Sequence, residues 1–117
     1  MLRPGGLLCA SIRDYDALLA DRPAGDPPRR FRVHGGERIV FQLWDWDDGD
    51  RYTLRHFILQ GGGEHGWAVT ERRAGYRALR RAELTAVLGA AGFEDVGWLM
   101  PAASGFYQPV VVAHAPR

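Results

Sequence analysis

Short stretches of different hydrophobic pattern follow one another along the chain. Residues 7–12 are a nearly all-apolar run between two glycines and a charged pair, which is typical of a strand covered on both faces. Residues 15–20 predict a helical turn or two, and residues 22–30, which contain three prolines, predict a loop. The first run therefore favours a parallel sheet with helices on both sides.

The middle of the chain changes to an alternation with a period of two residues. Runs over residues 39–44 and 52–59 flank Asp48-Gly49, which favours a tight hairpin because glycine adopts the positive φ of the turn. Gly61-Gly62-Gly63 predicts a second turn, and residues 67–76 predict a third strand. This part of the chain is therefore expected to be an antiparallel meander.

The last third predicts one helix and two strands. A helix is expected over residues 80–91, with Glu83 in its first turn and Gly92 at its end. Residues 96–100 and 109–114 are apolar runs that predict a terminal antiparallel pair. The spacing i, i+3, i+4, i+7 predicts one buried stripe on the helix, formed by Leu84, Val87, Leu88 and Ala91.

Length and composition indicate one small globular domain. The chain has 117 residues, of which 46% are hydrophobic and 25% are charged. No apolar run approaches the roughly 20 residues that a membrane helix needs, and we expect no membrane partner. The first residues do not resemble a secretory signal, and the single Cys9 offers no internal disulfide, so a cytoplasmic protein is predicted.

The charge pattern argues against nucleic acid as a partner. All 15 basic residues are arginine, and they are scattered among 14 acidic residues to give a net charge of +1. Nucleic-acid binders usually carry a broad positive field, which this distribution does not produce. The one local basic cluster is interpreted as a solvated surface, and it consists of Arg72, Arg73, Arg77, Arg80 and Arg81.

Two groups of polar residues contain side chains that can bind metal ions. With Gly49 at position six of a calcium loop, position one is Trp44 and position twelve is Arg55, so "WDWDDGD" does not fit and a solvated hairpin tip is predicted. The histidines are too scattered for a metal spacing, and they are His34, His56, His65 and His114. His56 lies in mid-strand, where it either lines a substrate pocket or has a structural role.

The two ends of the chain resemble a known family. The segments "LRPGGLLCASI", "ELTAVLGAAGFEDVGWLMP" and "GFYQPVVVAHAPR" resemble, in this order, the C-terminal half of class I S-adenosylmethionine-dependent methyltransferases. The resemblance implies that residues 7–12 are the fifth strand of the sheet and that an antiparallel seventh strand lies between the fifth and the sixth.

The fold class that the resemblance implies is α/β for the whole methyltransferase domain, with an α+β arrangement within residues 1–117. It is the C-terminal part of a Rossmann-like sheet, strands five to seven, with an inserted meander and one main helix. We expect a single partial methyltransferase domain over residues 1–117. Its parts are the fifth strand and loop (1–30), the meander (31–77), and the helix with the terminal strands (78–117).

The stretch "SIRDYD" is similar to glycine and sarcosine N-methyltransferases, where "R-x-Y-D" follows the fifth strand. The resemblance implies that Arg13 binds the carboxylate of an amino-acid substrate, with Tyr15 beside it, and that Tyr76 in "RAGYRAL" lines the pocket. Arg13 also follows the carboxyl end of a strand, where ligands bind in open parallel sheets, and its guanidinium suits a carboxylate. The alternative for Arg13 is a structural ion pair with Asp14 or Asp16.

The predicted function is that of the C-terminal portion of a methyltransferase acting on a small amine or amino acid. S-adenosylmethionine is implied as cofactor, but the motifs that bind it in the family belong to an N-terminal half outside this sequence. No catalytic, cofactor-binding or metal-binding residue is therefore predicted here, and the isolated chain is expected to be inactive. The alternative is a non-catalytic truncated homologue that binds a small ligand or another subunit.

Partners follow from the same resemblance. In the family, the strand at residues 7–12 pairs with a fourth strand that this chain does not contain. One apolar edge is then left unpaired, and exposed edges of this kind pair with other chains. We therefore expect a homo-oligomer or pairing with a cofactor-binding half. Met1 is equally compatible with a true start and with an internal residue of a longer enzyme.

Overall fold

The computed structural model describes residues 2–64 and 66–117. The chain divides into two compact units, unit 1 with residues 2–20 and 79–117, and unit 2 with residues 21–78. In chain order the elements are β1 (Leu7–Ser11), α1 (Tyr15–Asp21), β2 (Gly25–Val33), β3 (Gly36–Trp46), β4 (Arg51–Gly63), β5 (Gly66–Arg77), α2 (Arg81–Ala90), β6 (Glu94–Leu99), α3 (Pro101–Ser104) and β7 (Val110–His114).

Unit 1 contains a three-stranded sheet in the order β1-β7-β6. β7 is antiparallel to both neighbours, so that Val112 lies opposite Cys9 on one side and Gly97 on the other. Val111 and Ala113 of this central strand are 1% and 0% exposed. The predicted terminal antiparallel pair is confirmed as β6 and β7. The predicted position of the last strand is confirmed too, because β7 lies between β1 and β6.

The predicted fold class is wrong. Every strand pair in the described residues is antiparallel, the strands form two separate sheets, and helices are few, unlike a Rossmann-like α/β fold with a parallel sheet. β1 was expected to be covered on both faces, but it lies at a sheet edge and only Leu8 among its residues is not exposed. An all-apolar run cannot distinguish these cases, because pairing depends on strands far away in sequence.

The helices of unit 1 begin and end at recognisable local signals. The Asp14 carboxylate accepts a hydrogen bond from the Ala17 amide at 3.3 Å and so caps α1. α2 ends at Ala90, and Gly92, two residues later, has a φ of 92°. The Gly92 amide donates to the Gly89 carbonyl, and the Phe93 amide donates to the Leu88 carbonyl, both at 3.0 Å. These two bonds form a Schellman motif, and the predicted helix end is confirmed.

The predicted buried stripe on α2 is wrong. No residue of α2 is fully buried, and Val87 is 57% exposed. α2 contacts the sheet through β6, where the Trp98 indole donates to the Thr85 hydroxyl at 2.8 Å. None of the described helices has the length and apolarity required to cross a membrane.

Unit 2 is a four-stranded antiparallel sheet in the order β2-β3-β4-β5. The predicted meander and the hairpin at Asp48-Gly49 are confirmed, and β4 continues through Gly63, where a turn was predicted. The predicted loop over residues 22–30 is wrong, because most of it belongs to β2. The prolines of β2 lie at a register shift between Asp26 and Arg29, on an edge strand, where a missing amide hydrogen is tolerated.

Candidate functional site

Arg13 and Tyr15 lie in unit 1, on the connection from β1 to α1. Arg13 is half-buried, and its carbonyl accepts a hydrogen bond from the Tyr15 amide at 2.7 Å. Tyr15 begins α1 and is 8% exposed, so most of its ring is inaccessible to solvent. Both residues take part in further interactions within the chain. The connection therefore presents the Arg13 side chain more openly than the Tyr15 side chain.

The two acidic residues beside Arg13 are bound by Arg81, which sequence reasoning did not identify as part of this site. The Arg81 guanidinium lies 2.8 Å from the Asp14 carboxylate and 3.4 Å from the Asp16 carboxylate. The Arg81 amide also donates to Asp16 at 3.1 Å, which caps the start of α2. Arg81 lies more than sixty residues from both carboxylates in sequence, so no local signal identifies it.

The negative charge around Arg13 is therefore partly neutralised. Asp14 and Asp16 would repel an incoming carboxylate, but each shares its charge with Arg81 at ion-pair distance. All three side chains are 29% to 39% exposed, so water also screens them. The arrangement places the half-buried Arg13 beside two carboxylates whose charge is shared with a second arginine.

Tyr76 lies in unit 2, at the exposed end of a row of aromatic rings on one face of the sheet. Its ring stacks on Tyr52 of the neighbouring strand, with centroids 5.5 Å apart and an interplanar angle of 19°. Tyr52 in turn contacts Trp44 at 5.0 Å and Trp46 at 4.8 Å. Tyr76 is 46% exposed, whereas Tyr52 is 3% exposed. We call these four residues the aromatic row.

The outer side of the aromatic row is held by residues 22 and 23. The Arg22 guanidinium lies 5.4 Å from the centre of the Trp46 ring, a cation–π distance. It also donates to the Asp47 and Gly49 carbonyls at 2.9 and 2.6 Å. The Trp46 indole donates to the Pro23 carbonyl at 2.9 Å. This end of the row is therefore closed by structural contacts, and Tyr76 is its accessible end.

His56 lies in a row of polar residues that crosses the same sheet. The strand register places Asp26 opposite Gln42, Gln42 opposite His56, and His56 opposite Arg72. The side-chain amide oxygen of Gln42 accepts a hydrogen bond from the Trp44 indole at 3.2 Å, which joins the polar row to the aromatic row. Asp26, Gln42 and half-buried His56 line a cavity of about 120 Å³. This volume suits an ion or a few heavy atoms.

The acidic hairpin tip of unit 2 uses its carboxylates on the chain itself. Asp47 accepts hydrogen bonds from the Gly49 and Arg51 amides at 2.7 and 3.2 Å. Asp50 accepts a hydrogen bond from the Arg77 side chain at 2.9 Å, and this bond holds the pKa of Asp50 below its ordinary value. No group of three or more His, Cys, Asp or Glu residues suited to a metal ion is found among residues 2–64 and 66–117. His65 itself lies outside the described residues.

The glycine-rich stretches do not have the geometry of a cofactor loop. Gly35 lies in the turn between β2 and β3 with a φ of 84°, and Gly61–63 lie at the end of β4. A loop that holds the phosphate-like part of a nucleotide cofactor normally connects a strand to a helix, so that the helix N-terminus faces the ligand. These stretches lie between strands or at the end of a strand, so they do not have the geometry of such a loop.

The structure divides the four predicted site residues into two pairs. Arg13 and Tyr15 belong to unit 1, and His56 and Tyr76 belong to unit 2. His56 and Tyr76 lie on the same sheet face, but Tyr76 is opposite Tyr52, four residues along β4 from His56, a separation of about 13 Å.

Comparisons with protein-family models, with curated proteins and with solved structures find no match to this chain.

Proposed function

We propose that this chain provides the acceptor-binding part of an S-adenosylmethionine-dependent methyltransferase that acts on a small amine or amino acid. The observation that carries the proposal is the strand order β1-β7-β6 in unit 1, with β7 antiparallel to both neighbours. This is the order that the sequence resemblance implies for the last three strands. Arg13 lies two residues after the end of β1, at the position that the resemblance assigns to substrate binding.

Arg13 is the residue that we assign to the acceptor. A guanidinium carries five N–H donors in a planar fork, so it can bind both oxygens of a carboxylate through parallel hydrogen bonds. The contacts of Arg81 with Asp14 and Asp16 reduce the repulsion that a carboxylate meets there. In this proposal, binding of the carboxylate by Arg13 also orients the amine of the same small molecule.

The cofactor itself is assigned to residues outside this chain. The glycine-rich stretches in the described residues join strands to strands, so no step of methyl transfer is attributed to them. The proposal is therefore limited to binding and orientation of the acceptor by unit 1.

The proposal is tested by titrating the isotope-labelled chain with glycine, with its N-methyl derivative and with glycinamide, and following backbone amide shifts by NMR. Glycine and its N-methyl derivative are expected to cause saturable shifts at residues 12–15. Glycinamide lacks the carboxylate and is expected to bind at least roughly tenfold more weakly, a difference of about 1.4 kcal/mol.

Two arginine variants provide the control. Arg13→Lys keeps the charge but loses the fork, and it is expected to weaken glycine binding by roughly tenfold. Arg38→Lys changes an exposed arginine of β3 and is expected to leave binding unchanged. Saturable shifts that persist in Arg13→Ala, or an absence of saturable shifts at residues 12–15 in the unmodified chain, would contradict the proposal.

The assignment of the cofactor site to residues outside this chain has a separate test. Equilibrium dialysis with S-adenosylmethionine is expected to show no saturable binding to this chain alone, and stoichiometric binding would contradict the assignment of the cofactor site elsewhere. The DNA upstream of the gene gives a second readout. An in-frame glycine-rich loop between a strand and a helix supports the methyltransferase, whereas an unrelated upstream gene contradicts it.

A second candidate function is a non-catalytic module that binds a small ligand on unit 2. The cavity beside His56 favours it, because charged and amide side chains line this cavity and one of them, Gln42, also contacts Trp44 of the aromatic row. The same NMR titrations separate the two functions. Shifts centred on residues 26, 42 and 56 support the module, and shifts centred on residues 12–15 support the methyltransferase.

A further inference from the structure

β1 differs from the other edge strands in having no feature that discourages pairing with another chain. Exposed sheet edges are usually protected by charged side chains, by proline or by a bulge. In the described residues, β2 has two prolines and a register shift, and β6 has a register shift between Glu94 and Gly97. β5 is charged at Glu71, Arg72, Arg73 and Arg77. β1 has the sequence LLCAS and pairs with β7 in unbroken register.

The hydrogen bonds to β7 show which backbone groups of β1 face outward. The Ala115 amide donates to the Gly6 carbonyl at 2.7 Å, and the Ile12 amide donates to the Pro109 carbonyl at 3.2 Å. In an antiparallel pair, alternate residues direct their N–H and C=O groups toward the partner strand. Even-numbered residues of β1 therefore face β7, and Leu7, Cys9 and Ser11 direct their backbone groups away from it.

We propose that two copies of this chain associate by antiparallel pairing of β1 with β1, on a two-fold axis close to Cys9. This register joins every outward-facing group of one copy to the other, about six backbone hydrogen bonds in all. It places Leu7 of each copy opposite Ser11 of the other. The two sheets then form one continuous sheet with the strand order β6-β7-β1-β1-β7-β6, and the contact is closed because it uses the same strand twice.

The chemistry of β1 favours a second copy as the occupant. A strand that pairs with itself brings identical residues into register, so a charged strand such as β5 would oppose arginine to arginine. β1 is uncharged, and a large residue meets a small one at each flank of the pair. The outward groups are also accessible, since Leu7 is 57% exposed and Cys9 and Ser11 are exposed.

The proposed register makes Cys9 a reporter of the contact. Cα atoms of a hydrogen-bonded antiparallel pair are about 5.5 Å apart, which lies within the range that a disulfide spans. Mild oxidation of the 117-residue chain is therefore expected to produce a covalent dimer through Cys9. The double variant Leu7→Cys with Cys9→Ala keeps one thiol on the same strand but places it opposite Ser11, and it is expected not to cross-link.

Sedimentation velocity under reducing conditions tests association without the thiol. Cys9→Ala is expected to dimerise like the unmodified chain. Cys9→Lys opposes two ammonium groups and is expected to raise the dimer dissociation constant by roughly tenfold or more. Ser11→Lys is a second charged variant for use if circular dichroism shows that Cys9→Lys does not fold.

The outcomes separate this contact from any other. Loss of the dimer in a folded lysine variant, together with cross-linking at position 9 and not at position 7, supports pairing through β1. A monomer at every accessible concentration overturns the proposal. So does a dimer that a folded lysine variant leaves unchanged, because the contact is then elsewhere on the chain.

Discussion

Replacing Tyr52 by alanine removes the ring at the centre of the aromatic row. Tyr52 is 3% exposed and contacts three other rings, with centroid separations of 5.0, 4.8 and 5.5 Å. Truncation of a buried aromatic residue to alanine costs about 3–5 kcal/mol, because transfer from water is lost and a cavity remains. The free energy of unfolding is therefore expected to fall by at least about 3 kcal/mol, a large share of the 5–15 kcal/mol typical of a domain.

Tyr76→Ala is the matched control, because it removes the same ring type from the same sheet face. Tyr76 is 46% exposed and has its ring contact with Tyr52 at the end of the row. A single stacked pair at a half-exposed position contributes about 1 kcal/mol. The loss in Tyr76→Ala is therefore expected to be about a third of that in Tyr52→Ala.

The assay is urea unfolding followed by circular dichroism, with the free energy of unfolding obtained from the midpoint and slope. The double variant adds a coupling energy, expected to be about 0.5–1.5 kcal/mol for the stacked pair. Equal losses for the two single variants, or a coupling energy of zero, would refute the idea that the row is organised around Tyr52. A slope that differs strongly between variants would show that unfolding is no longer two-state and would itself contradict a simple loss of packing.

Two further predictions concern single sites. Gly92→Ala forces an alanine to a φ of 92° and is expected to destabilise the chain by about 1 kcal/mol. Gly89→Ala lies inside α2, where an added Cβ has no atom within 4 Å, and it is expected to stabilise the chain by about 0.5–1 kcal/mol. Equal effects of the two variants in thermal unfolding would contradict the Schellman motif at the helix end. The hydrogen bond from Arg77 holds the pKa of Asp50 below its ordinary value of 3.8. The contribution of this bond to the stability of the folded chain is therefore present above pH 3.8 and is lost as the pH falls below that value. The urea midpoint of Arg77→Gln should then fall less on acidification than that of the unmodified chain, and parallel pH profiles would exclude the contribution.

Several features that depend on neighbouring residues were predicted correctly, although the loop over residues 22–30 and the turn at residues 61–63 were not. The hairpin at Asp48-Gly49 and the helix end at Gly92 were both predicted from glycine. Gly92 has the positive φ that such a helix end requires. Gly49 does not have a positive φ, and the hairpin turn is held by the hydrogen bonds that Asp47 accepts from the Gly49 and Arg51 amides. The start of α1 is also locally determined, because the Asp14 carboxylate accepts a hydrogen bond from the Ala17 amide three residues later, although this cap was not predicted. In each case the energy that selects the structure comes from groups within a few residues of one another.

Features that depend on distant partners were predicted poorly. Residues 7–11 are apolar in either a buried parallel strand or an exposed edge strand, and only the pairing of β1 with β7 decides between them. The apolar stripe of α2 has helical spacing, but Val87 on that stripe is 57% exposed. Periodicity reports which residues share a face, and it does not report whether another element covers that face.

The candidate site shows the same division. Arg13, Tyr15, His56 and Tyr76 were selected from the sequence, and the structure distributes them between two units. The binding of Asp14 and Asp16 by Arg81, and the polar row through His56, were not predicted. The contacts of Arg81 and the polar row both form where strands or helix ends from distant parts of the chain lie side by side. The pattern of residues along the sequence does not indicate which of these elements become neighbours.

The sequence by itself determined the local elements of this protein: most of its strands, the main helix with its glycine end, the central hairpin and the arginine that follows β1. Only the tertiary structure decided that all the described strand pairs are antiparallel, that most residues of β1 are exposed, and that Arg81 shares the charge of Asp14 and Asp16. The physical reason is the range of the interactions. Turns and caps are selected by contacts within a few residues, whereas pairing, burial and charge neutralisation depend on groups that only the folded chain brings together.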